Sequence, residues 1–149
     1  MKIDQLLNHV LKPSNLGLTE LVIRVVVSFA MMYHGYGKLT GIEQYTAMFT
    51  KIGIEPAGFM VVLAGLSEML GGLALFLGCF TRFGAISLSI CMIYAFIYLG
   101  LPKGYNIVKG GYEYQLAMMS VFLFFIVNGA GKYSLDNLFY KKRTAISEQ

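Results

Sequence analysis

Two charged side chains sit inside otherwise apolar stretches: Arg24, within LVIRVVVSFA, and Glu68, within VVLAGLSEMLGG. A charge kept from water has to find a partner. Arg24 lies ten residues before His34, and Glu68 eleven after Ala57. On helices these separations are about 15 Å and about 16 Å. With His34 and Ala57 at one surface, both charges fall at one level, and the spacing predicts an Arg24–Glu68 ion pair or small polar network. A second polar group gathers towards that surface: His34, Lys38, Tyr98, Tyr112, Glu113 and Tyr114. An imidazole, an ammonium, a carboxylate and phenols could grip the polar head of an amphiphile such as a quinone. The expected ligand-binding mouth is His34, Lys38, Tyr98 and Glu113. Against that, tyrosines collect at membrane interfaces anyway, and Lys38 and Glu113 could simply pair.

Other chemistries find less support. Membrane haem commonly takes two axial histidines, and His9 and His34 belong to segments expected at opposite surfaces. Zinc needs about four Cys, His or carboxylate ligands, and here they are scattered in depth, so no metal is expected. HGYGK matches only a fragment of a phosphate loop. Cys79 and Cys91 are twelve residues apart, about 18 Å on one helix, beyond disulfide reach. No nucleophile–base pair is recognisable, and the catalytic residues are unknown.

These groups need a scaffold, and the composition says which kind. Of 149 residues, 56% are hydrophobic and only 13% charged, against about 25% charged in soluble domains. A bilayer is the natural solvent for such a chain. Four apolar runs, near 18–36, 57–77, 83–101 and 114–131, each approach the roughly 20 residues that cross a hydrocarbon core as helix. The expected fold is all-α: an integral membrane four-helix bundle with short interfacial amphipathic helices, one domain over 1–149. Three segments suit the interface: Ile3 to Leu11 with apolar spacing i, i+3, i+4, i+7, i+8; Ile42, Tyr45, Phe49 and Ile52; and a helix after Ser134, a fitting N-cap.

Small residues mark the packing face of the second run. Ala57, Ala64, Gly71 and Gly78 recur every seven residues, beside Gly58, Gly65 and Gly72. Such rows let helices approach closely in lipid, and Glu68 falls between them. In the third run, Ser87, Cys91, Tyr94 and Tyr98 share one face.

Seven basic residues (Lys2, Lys12, Arg82, Lys132, Lys141, Lys142, Arg143) flank one side of the spans, and four (Lys38, Lys51, Lys103, Lys109) the other. The richer side is expected to be cytoplasmic, with both termini there. The net charge of +4 then suits anionic lipid head groups, not nucleic acid. MKIDQLLNHVLKP carries polar groups where a signal peptide is apolar, so targeting is expected to rest on the first span.

In order along the chain, Arg24, HGYGKLTGI, Phe49 with KIGIEP, AGLSEMLGGLALFLGCFTRFGA, Met92 with Ala95, GGYEY and GAGKYSLD resemble the DoxX family of DoxX/DoxD-like membrane proteins. The most specific piece is E-x-x-G-G-x-x-L-x-x-G-x-x-T-R, Glu68 to Arg82. Arg24, His34, Lys38, Glu68, Arg82 and Glu113 match family motif positions. The resemblance implies a four-helix bacterial inner-membrane protein linked to respiratory redox chemistry. DoxD and DoxX are associated with a thiosulfate:quinone oxidoreductase and a terminal quinol oxidase. The function it suggests is a redox-associated subunit that binds quinone or a similar amphiphile, holds no covalently bound cofactor and meets a redox partner subunit. The rival expectations are a non-enzymatic scaffold or assembly factor, and a small carrier working as an oligomer.

Overall fold

The computed structural model describes residues 17–147; the segment read as the first interfacial helix lies outside them. The described residues are all-helical. α1 is Leu18–Thr40, α2 Ile42–Lys51, α3 Ala57–Leu77, α4 Thr81–Ala95, α5 Glu113–Asn128 and α6 Leu135–Ser147. A π turn, Phe96–Gly100, and a short 3-10 turn, Leu101–Lys103, prolong α4, so that Thr81–Lys103 is one apolar rod of 23 residues. α1, α3 and the α4 rod are each long and apolar enough to cross a membrane, and α5 is a shorter apolar helix. α2 and α6 stand where amphipathic helices were expected. Ser134 caps α6: its Oγ accepts from Asn137 N–H at 3.2 Å.

The four apolar helices share one core, with Val27 and Met31 from α1, Leu75 from α3, Leu88 and Met92 from α4, and Phe122 and Phe125 from α5. The two small-residue rows of α3 serve different neighbours. A side chain at Gly65 would meet Lys38 and Leu39, and one at Gly72 would meet Met32 and the Ser28 carbonyl, so that row receives α1. A side chain at Gly71 would meet Leu88 and the Gly84 carbonyl, so the other row receives α4. Helices approach this closely only where both surfaces are small.

These contacts also set the register. Gly35 of α1 lies against Gly65, Glu68 and Met69, while Arg24 lies against Gly78. α1 therefore ends beside the middle of α3, and not beside Ala57. The first turns of α3 project past it and are covered by α2, through Phe49, Ile54, Ala57 and Val61.

Candidate functional site

The register overturns the expected Arg24–Glu68 pair. Glu68 is level with Gly35, eleven residues from Arg24, about 16 Å along the helix. The expected pairing needs His34 of α1 and Ala57 of α3 in one plane, and they are not in one plane. Each charge has a different partner. Lys38 Nζ donates to Glu68 Oε2 at 2.6 Å, with both side chains largely buried. The alternative Lys38–Glu113 pair is likewise not formed.

Arg24 belongs to a cluster at the other end. Its Nη1 donates to the Ala130 carbonyl and its Nη2 to the Tyr133 carbonyl, both at 2.7 Å. Glu20, one turn earlier and fully buried, accepts from Gly17 N–H at 3.2 Å. Asp136 accepts from Phe80 N–H at 2.7 Å and Thr81 N–H at 3.0 Å, so its carboxylate caps the positive end of α4. Its own N–H donates to the Gly78 carbonyl at 2.8 Å. Gly78 is in the left-handed region at φ 63°, and a side chain there would collide with the Arg24 guanidinium and Ser134. Thus GCFTR and GAGKYSLD, far apart in sequence, bind each other and Arg24. Burial first, and then the negative charge of Asp136, hold the Cys79 thiol above its ordinary pKa. Cys79 and Cys91 are both free thiols.

At the end of the bundle away from Arg24, Lys38 and Glu68 form part of the wall of a cavity of about 440 Å³, a size typical of small-ligand pockets. α1 supplies His34 and Lys38, α3 supplies Ser67 and Glu68, and α4 supplies Cys91 and Tyr94. α2 contributes Tyr45, Met48 and Phe49 as a roof. Lys38 Nζ stands 5.8 Å from the centre of the Tyr45 ring, within cation–π range. Among the exposed members of the wall, Leu63 and Ile90 are apolar, so a hydrocarbon tail could leave the cavity between α3 and α4.

His34, Lys38 and Glu68 thus come together, and Arg24 does not join them. Tyr98 stands one ring away, stacked on Tyr94 at 6.0 Å and 8°. Glu113 opens α5 and does not line the cavity. His34 packs against Tyr114 at 6.1 Å. The sequence reading missed Asp136 as the cap of α4 and Glu20 as a neighbour of Arg24. The i, i+4 spacing of Glu20 and Arg24 was the available signal for the second. No group of three or more His, Cys, Asp or Glu able to hold a metal ion occurs among the described residues.

Long apolar helices packed through glycine rows, around buried charges, define a small helical membrane protein. The DoxX family model matches residues 19–101, and the chain belongs to the DoxX family. An uncharacterized protein of Haemophilus influenzae is 34% identical over 130 residues, 80% of this chain and 90% of its own. YqjF, an inner membrane protein of Escherichia coli, is 31% identical over 124 residues, 82% of this chain and 92% of its own. CatD of Bacillus subtilis, provisionally named an oxidoreductase, is 26% identical over 121 residues, 81% of this chain and 87% of its own. No solved structure matches the chain significantly.

Proposed function

We propose that this DoxX protein is a redox-associated inner-membrane subunit that binds quinone or a similar amphiphile in the outer cavity. The observation that carries the proposal is an apolar cavity with an ion pair in its wall, Lys38–Glu68. The apolar walls suit a tail, and the pair, His34 and Tyr94 suit a polar head. The topology proposed with it is four crossings with both termini cytoplasmic. α5, at 16 residues, is then the fourth crossing, short, with Gly129, Ala130 and Gly131 following it before Lys132. The proposal includes a redox partner subunit, through which electrons would pass. The test is to purify the protein from native membranes and quantify co-purifying quinones and lipids. Enrichment of quinone over bulk membrane, lost in Glu68→Gln and His34→Ala, supports the proposal. Bulk composition in all three samples rejects it.

A second proposal, a non-enzymatic scaffold or assembly factor, draws on a different observation. The Arg24–Asp136 cluster ties α1, α4 and α6 together by hydrogen bonds to backbone. On this proposal the motif residues at that end serve the architecture. A variant with the outer cavity filled, Ala64→Phe, separates the two: a scaffold keeps its phenotype, and an amphiphile-binding subunit loses it.

A further inference from the structure

We infer that the outer cavity selects a neutral head group bearing a hydroxyl on an aromatic ring, and discriminates against anionic heads. The inference rests on the amphiphile-binding proposal and names the chemical class of the ligand.

The argument is one of charge and hydrogen-bond capacity. An ammonium has three protons to donate, and a carboxylate has two oxygens that accept. The Lys38–Glu68 bond uses one proton and one oxygen, Oε2. The rest have no hydrogen-bond partner among the described residues, and both side chains belong to the cavity wall. The wall therefore offers a donor and an acceptor next to each other. A phenolic hydroxyl can donate to Glu68 and accept from Lys38 at once.

Charge excludes the alternative. The pair sums to zero, and no other Lys, Arg, Asp or Glu side chain lines the cavity, His34 being the remaining titratable group. An incoming phosphate or carboxylate would lose its hydration and meet Glu68 as well as Lys38, with no uncompensated cation to receive it. The rings of Tyr45 and Tyr94 and the thioethers of Met48 and Met60 line the same space. Rings and thioethers make favourable contacts with an aromatic head. The exit past Leu63 and Ile90 suits its alkyl tail.

The test uses the full chain in nanodiscs of neutral lipid, with three probes sharing one tail: octylphenol, octylbenzene and octyl phosphate. Saturable binding is read by competition against labelled octylphenol. The expected order is octylphenol tightest, with octylbenzene and octyl phosphate each weaker by about tenfold or more. Ala64→Phe, which fills the cavity, should abolish the saturable component. Glu68→Gln leaves Lys38 uncompensated and should reverse the order, so that octyl phosphate binds more tightly than octylphenol. A residue that merely held helices together would not invert a preference between ligands. Equal binding of all three probes, or binding indifferent to Ala64→Phe, overturns the inference while leaving amphiphile binding elsewhere intact. Saturable binding of none of them overturns the amphiphile proposal as well.

Discussion

Lys38 on α1 reaches across to Glu68 on α3, closing an ion pair of 2.6 Å at the foot of a cavity. It joins the two helices that the glycine row Gly65 and Gly72 already brings together. Removing one partner strands the other charge. Lys38→Met is expected to destabilise the protein by about 3 kcal/mol, read by thermal unfolding in detergent. Lys38→Met with Glu68→Leu should recover much of that loss. If the double variant is no more stable than the single, the pair is not the origin of the effect.

Two glycines, Gly35 on α1 against α3 and Gly58 on α3 beside α2, make a graded prediction. A methyl at Gly35 would come within 2.7 Å of Met69 N and 2.8 Å of the Gly65 carbonyl, both backbone atoms that cannot step aside. At Gly58 the nearest atom would be 3.8 Å away, on Thr46. Gly35→Ala should therefore lower the melting temperature by several degrees, and Gly58→Ala should leave it unchanged or raise it slightly, because alanine favours helix. Parallel melts of the two variants check this.

Arg24 tests the cluster at the other end of the bundle. Its planar fork reaches the Ala130 and Tyr133 carbonyls together. Lysine keeps the charge but is a single point donor. Arg24→Lys is expected to cost about 1–3 kcal/mol, and to expose the 129–134 turn to protease in detergent micelles. Unchanged cleavage there would show that the charge alone holds the turn.

Asp136 and Cys79 give a paired prediction. The thiolate is the reactive form of cysteine, and burial together with Asp136 raises the Cys79 pKa. With the thiolate scarcer than in free cysteine, labelling by maleimide at about pH 8 should be slower than for a free thiol. Asp136→Asn removes the charge and should speed it. Cys79 also lies in the α3–α4 turn, which the proposed topology puts in the cytoplasm. An impermeant maleimide should reach it in inverted vesicles and not in intact cells; the opposite pattern would invert the topology.

Much of the architecture was legible in the sequence. Hydropathy located α1, α3 and the α4 rod, and the seven-residue rows of α3 named its packing surfaces, with Glu68 between them. Of the face shared by Ser87, Cys91, Tyr94 and Tyr98, the first three line the cavity and Tyr98 does not. What could not be read was register. Whether Glu68 meets Arg24 or Lys38 depends on where α1 turns, at Gly41, relative to the start of α3, and hydropathy says nothing of that. Asp136 looked like an ordinary acidic residue in a first turn. Its partners are backbone groups 55 and 56 residues away, and nothing in the spacing along one chain announces such a bond.

The close contact of Gly71 with Gly84 makes α3 and α4 a pair of tongs. Near Gly84 the two rods touch, and a methyl group on either glycine would force them apart. From Ser87 and Glu68 onward both helices line the cavity. The distance between the jaws is thus fixed at the pivot, about one helical turn from Glu68 and Ser87 in the cavity wall. A Gly84→Ala change should widen or tilt the jaws without altering one atom of the cavity wall. The fit of an amphiphile would then be tuned mechanically, by leverage from the α3–α4 contact, as much as by the groups that grip it.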